Sequence, residues 1–220
     1  MAFTLGVHGK AYPLADITLS PTAGSLLIAW ITGSATAATT SVSGGGTWVA
    51  LPEVFYSTSH GRMCYCLSAA GGSTAFHVNN PPASDPGWLI KEITGANTWA
   101  LDTHLEGTGL ATTFSSGAIT TAHAHEILIG SEGNEAGSQG SFDSPWADVD
   151  NNTTHWDLFA DREVNIIGSY SATGTFSGTN LWVAAIAAFY DSNPSSSGGP
   201  FPHFIRRVLN GGLLTLGLKG

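Results

Sequence analysis

Up to residue 200 the chain shows almost no helical periodicity. Short runs rich in Val, Ile, Thr, Trp, Tyr and Phe alternate with clusters of Gly, Ser, Asn and Pro. That alternation is the mark of strands joined by tight turns, and it restricts the chain to an antiparallel sandwich or barrel. Gly44-Gly45-Gly46, Gly71-Gly72, Asn79-Asn80-Pro81-Pro82 and Gly133-Asn134 carry the turn chemistry. Strands are predicted near residues 2–9, 24–33, 46–57, 61–68, 73–79, 87–95, 125–131, 153–159, 164–171 and 180–190.

An internal echo organises these strands. The stretch from Ile17 to Ile28 (ITLSPTAGSLLI) matches Ile119 to Ile129 (ITTAHAHEILI) in kind, each ending in an apolar triplet. Gly87-Trp88-Leu89-Ile90 then closes the first half as Asn180-Leu181-Trp182-Val183 closes the second. If the echo is structural, two similar strand sets supply the two sheets of one sandwich. No linker composition appears near residue 105, so residues 1–191 are read as one β-sandwich domain.

The composition changes after Tyr190. Asp191 to Pro200 (DSNPSSSGGP) is flexible-linker sequence, and residues 192–200 are read as a tether. Residues 201–220 turn apolar again. A segment of about twenty residues cannot build its own core, yet Phe201, Phe204, Ile205, Val208, Leu209, Leu213, Leu214, Leu216 and Leu218 favour burial. The tether favours docking on a neighbouring chain over folding back. Phe204, Ile205, Val208 and Leu209 share one side of a short helix, Asn210-Gly211-Gly212 ends it, and the leucines beyond are predicted to lie extended against the partner. Arg206 and Arg207 would pair with the partner's carboxylates.

Charged residues make up only 10% of the chain, against roughly a quarter in ordinary domains. A surface of Ser, Thr, Asn and Gly suits sugars or protein neighbours better than polyanions. The net charge of −9 argues against nucleic acid, since phosphate neutralisation needs clustered Lys and Arg. The N-terminus lacks a basic start followed by an apolar core, so no signal peptide is predicted. Apolar runs reach only about ten residues, short of a membrane span. Cys64 and Cys66 stand two apart on a predicted strand and are read as buried thiols rather than a bridge.

Chemistry-bearing residues are few. His123 and His125 have the spacing of two ligands on one strand face, without an evident third; exposed histidines at a strand entrance are the plainer reading. The loop from Phe142 to Glu163 gathers carboxylates and amides, and Asp148, Asp150 and Asn152 could begin a calcium site. The Gly and terminal Glu of an EF-hand are missing, so a solvated acidic loop is the default and calcium the alternative. Trp146 and Trp156 in that loop, with Asp143, could stack on and hydrogen-bond a sugar; core packing is the competing reading. Trp30, Trp88 and Trp182 are assigned to the core. Glu92 and Glu126 are the first carboxylates to examine for glycoside hydrolysis, and both are expected on the solvent side of their strands. No Gly-x-Ser-x-Gly elbow and no phosphate loop is present.

The pattern around Gly24-Ser25-Leu26-Leu27-Ile28-Ala29-Trp30, then Gly44-Gly45-Gly46-Thr47-Trp48, then the closing run Leu181 to Phe189, resembles jelly-roll, lectin-like domains of tailed-bacteriophage structural proteins and bacterial surface proteins. The resemblance covers about residues 15–191 and implies an all-β jelly-roll or concanavalin-like sandwich. It brings no catalytic residue. The reading it supports is a non-enzymatic virion protein, a minor tail or head-decorating subunit assembled in the host cytoplasm. Such a subunit would be present in several copies, be fastened to other virion proteins through residues 201–220, and carry a face for cell-surface glycan. A free carbohydrate-binding module or lectin is the alternative, and a glycosidase the third.

Overall fold

The computed structural model describes residues 2–34, 39–134, 139–152 and 157–194. The docking tail 201–220 therefore lies outside the described residues. Among the described residues all regular structure is β and all pairing is antiparallel, so the chain is an all-β sandwich, as its sequence pattern predicts. In chain order the strands are β1 (Thr4–Ala11), β2 (Ile17–Leu19), β3 (Leu26–Ser34), β4 (Ser41–Ser43), β5 (Val49–Ala50), β6 (Val54–Tyr56), β7 (Ser59–Cys66) and β8 (Thr74–Asn79). There follow β9 (Ser84–Thr94), β10 (Trp99–Thr120), β11 (Glu126–Asn134), β12 (Ser141–Phe142), β13 (Ala147–Asn152), β14 (Asp157–Val164) and β15 (Ser169–Asp191).

The echo in the sequence corresponds to an echo in strand order. One six-stranded sheet runs β1-β9-β3-β7-β5, with β6 also on β7; the other runs β10-β15-β11-β14-β13, with β12 also on β15. The two apolar triplets sit in matching registers. Leu26 lies opposite Ile93 and Ile127 opposite Phe189; Leu27 lies opposite Cys66 and Leu128 opposite Arg162. Even the irregularities agree. β1 shifts register after Leu5, paired with Ile93, and β10 shifts after Leu101, paired with Phe189.

The two sheets stack face to face. Leu26, Ile28 and Trp30 of β3, Met63 and Tyr65 of β7, and Leu89 and Ile93 of β9 meet Ile127 and Ile129 of β11, Phe159 of β14, and Val183, Ala185, Ala187 and Phe189 of β15. Strand β7 faces β15 while β9 faces β14. Because β7 matches β14 and β9 matches β15, the packing has the reciprocal pattern of a two-fold interface within one chain.

Each large sheet is also covered on its outer face. On the first, the three-stranded sheet β2-β8-β4 covers Leu27, Ile31, Cys64, Cys66, Trp88 and Ile90 with Phe76 and Val78. On the second, β10 and β15 supply their own cover. A side chain at Gly107 would strike the carbonyl of Ser115 on the same strand, so β10 has doubled back over its sheet. This brings Phe114, Ile119, Ala172 and Phe176 onto Leu128, Leu158, Ala184 and Ile186. Strands covered on both faces need no polar alternation, which is why β3, β11 and the end of β15 read as continuous buried runs.

Candidate functional site

The reciprocal packing gives the seam between the sheets two matching ends, and they differ in chemistry. At one end Tyr65 packs edge-on against Phe189, ring centroids 5.4 Å apart, beside Ala187. By strand register, the positions matching Ala187 and Tyr65 are Lys91 on β9 and Asp161 on β14. There an apolar contact is replaced by charge. Lys91 is fully buried; its Nζ lies 3.0 Å from Asp161 Oδ1, 3.4 Å from Asp150 Oδ2 and 5.6 Å from the Phe159 ring centre. Asp150 Oδ1 is 3.8 Å from His8 Nε2, and Lys10 Nζ donates to the Asn151 carbonyl at 2.6 Å. Charges removed from water persist only when paired this closely.

Beside this cluster opens a cleft of about 410 Å³, within the size range of ligand pockets. Phe3, Leu5, Ile93 and Ile127 contribute apolar walls, Pro145 and Ala147 one flank, and Asp161, Arg162 and Glu163 the polar side. His125 stacks on Phe3 with centroids 4.5 Å apart and places Nε2 2.7 Å from Glu163 Oε1. Arg162 lies over the Tyr170 ring, 5.0 Å from its centre. Apolar walls beside hydrogen-bonding carboxylates suit a small amphiphilic ligand, the sugar ring included.

Glu92 and Glu126 do not face solvent, and this corrects the sequence expectation. Both carboxyls are turned inward because backbone N–H groups at irregular chain need acceptors. Glu92 accepts from Thr22 N–H at 2.6 Å and from Val7 N–H, inside the β1 bulge, at 2.9 Å. In the second half the equivalent turn is held by two acids: Asp102 accepts from Ala122 N–H at 2.7 Å and Glu126 from His123 N–H at 2.8 Å. These are the groups that shape the chain ahead of β3 and β11.

Burial, with Asp102 nearby, raises the Glu126 carboxyl from 4.5 to about 7. The folded state then keeps a proton that the unfolded chain has already lost, so this group's contribution to stability is present below about pH 4.5 and fades as pH rises to about 7. Allowing for solvent screening, about 2 kcal/mol is expected to be lost over that range. Urea unfolding at about pH 5 and about pH 8 checks it: Glu126→Gln should reduce the slope. An unchanged slope would assign the titration elsewhere, for example to Glu132, whose carboxyl burial raises in the same direction.

The remaining candidates separate. Trp146 is half-buried against Phe142, centroids 5.5 Å apart, in the cluster of Leu128, Ala172 and Ile186; it packs in the outer core, and only its neighbours Pro145 and Ala147 reach the cleft. Asp143 is exposed and uses its backbone, donating to Thr173 and accepting from Trp146. Trp156 and the side chains of Asp148 and Asn152 lie outside the described residues, while Asp150 is engaged by Lys91 and His8. Among the described residues no group of three or more His, Cys, Asp or Glu is placed to hold a metal ion. His123 and His125 have separate partners: His123 stacks on Tyr190 at 3.6 Å near Asp102, and His125 stacks on Phe3 and pairs with Glu163, both of which line the cleft. Cys64 and Cys66 are free and buried, and burial pushes the Cys64 thiol up to about 12. Trp30, Trp88 and Trp182 are core residues.

Lys91 and the cleft have no counterpart among the sequence expectations, and Asp161 enters them only as one carboxylate of the acidic loop from Phe142 to Glu163. The available signal was a lysine within the apolar run of β9, where a strand covered on both faces has no solvent side to offer it. The chain matches no family model, no curated protein and no solved structure.

Proposed function

We propose that the chain is a non-enzymatic structural subunit of a larger assembly, a minor tail or head-decorating protein of the tailed-phage kind. The observation that carries this reading is the edge formed by β10. This strand of 22 residues is hydrogen-bonded on one side only among the described residues. It exposes Leu105 and Leu110 at 38% and 57%, and neighbouring β6 exposes Phe55 at 46% and Tyr56 at 37%. Free backbone groups beside apolar side chains make a surface for another chain. The chain leaves the sandwich at the same edge, where Ser192 donates to the Thr98 carbonyl, so the tether to residues 201–220 starts beside β10.

The two acids that a glycosidase would use first are spent on backbone turns, which favours an assembly role over hydrolysis. The seam cleft supports a sugar-binding face on the same subunit. Deleting residues 201–220 tests the main reading. The shortened chain is expected to keep its sheet circular dichroism and unfolding midpoint while losing incorporation into particles. Incorporation at the full-length level would end the proposal.

A further inference from the structure

We propose that Lys91 and Asp161 react with each other to form an intramolecular amide, a covalent tie between the two sheets, with Asp150 carrying protons. This does not rest on the assembly role above; it rests on the charged end of the seam.

Three observations converge there. The amine is held in place for reaction: Lys91 is fully buried on β9, paired with Ile28 on one side and His8 on the other. Asp161 is likewise fixed between Ile129 and Ala147, and Nζ stands 3.0 Å from its Oδ1 across a sequence separation of 70 residues. Two groups fixed in contact react as if at very high concentration, which is what amide formation between unactivated partners needs. A second carboxylate, Asp150, lies 3.4 Å from the same nitrogen, within reach to take a proton from it and return one to the leaving oxygen. Finally, the fold does not need charge here, because Tyr65 and Ala187 fill the matching end of the seam. Burying an ammonium and a carboxylate is costly, whereas the amide that replaces them is neutral.

The step balances without any other reactant. Asp150 takes a proton from the Lys91 ammonium, and the freed lone pair on Nζ attacks Cγ of Asp161. One Cγ–O bond of Asp161 then breaks, and that oxygen leaves as water with two of the three ammonium protons, relayed through Asp150. The third stays on the amide nitrogen. One N–C bond forms, one C–O bond breaks, one water is released, and nothing is oxidised or reduced.

Intact-mass measurement of the denatured full-length chain reads this directly. The wild type is expected to be lighter than its sequence by one water, and proteolysis should yield a branched peptide containing both Lys91 and Asp161. Lys91→Arg and Asp161→Ala should each show the full sequence mass. Asp150→Asn leaves both reacting groups in place and should accumulate the unreacted chain. A wild-type chain at full sequence mass overturns the proposal, and this measurement does not depend on any variant folding. A water loss that persists in Lys91→Arg overturns it as well, by placing the dehydration elsewhere.

Discussion

Replacing Trp30 with Ala is expected to cost about 4 kcal/mol, close to half the stability of an ordinary domain. Trp30 is fully buried at the centre of the core shared by the two sheets, among Met63, Leu89, Ile129, Phe159 and Val183. Its ring lies against Gly61, which has no side chain to obstruct it, and its Nε1 donates to the Glu132 carbonyl at 3.2 Å. The alanine would open a cavity that β3 and β7, locked in register from Leu27 to Ser34, have little freedom to close. It would also leave a buried carbonyl without that donor. Urea unfolding should show a lower midpoint at unchanged slope. Trp30→Phe keeps most of the volume and should lose about half as much. A loss below about 1 kcal/mol for the alanine would mean that the two sheets do not depend on a common core.

Glu92→Ala is expected to be nearly as damaging, at about 3 kcal/mol, though no apolar contact is its main loss. Its two carboxylate oxygens accept from Thr22 N–H and Val7 N–H, at 2.6 and 2.9 Å, in a site only 2% exposed. Bonds to a charged acceptor are stronger than neutral ones, and removing the acceptor leaves two backbone donors without their partner. Gly6 belongs to the same arrangement, since any side chain there would collide with the Glu92 carboxylate. Glu92→Gln keeps one acceptor oxygen and turns an amide donor toward the other N–H, so it should recover only part of the loss. Hydrogen exchange separates this local effect from a general one: in the alanine variant the amides of Val7 and Thr22 should exchange faster at a given global stability. Unchanged protection at those two amides would count against the role assigned to Glu92.

How much of this could be read from the chain depends on which strands are covered on both faces. The runs containing β3, β9 and β11 are apolar and bounded by turn residues, and they fall close to their predicted places. β10 has no counterpart among the predicted strands, although with β15 it is one of the two longest among the described residues. In its sequence, WALDTHLEGTGLATTFSSGAIT, the large apolar residues stand mostly four or five apart rather than two, because it is an edge strand that bends over its own sheet and stays half exposed for most of its length. β2, β4, β12 and β13 are short or polar, and pairing rather than pattern makes them strands.

The candidate site divides along the same line. The cysteines and the three core tryptophans were legible because burial of such side chains follows from local pattern. Glu92 and Glu126 were placed on the wrong side, since alternation cannot reveal that a bulge and a turn nearby have N–H groups in need of acceptors. The seam cluster joins Lys91 and Asp161 across 70 residues and two sheets, and no spacing along the chain encodes that meeting. By itself, the sequence determined that this protein is all-β and where its main apolar strand runs lie, because hydrophobic period and turn residues act locally. Only the tertiary structure decided that the halves pack reciprocally and that one end of their seam is apolar and the other charged. Which side chains face each other between stacked sheets is settled by register and packing, and those exist only once distant segments have come together.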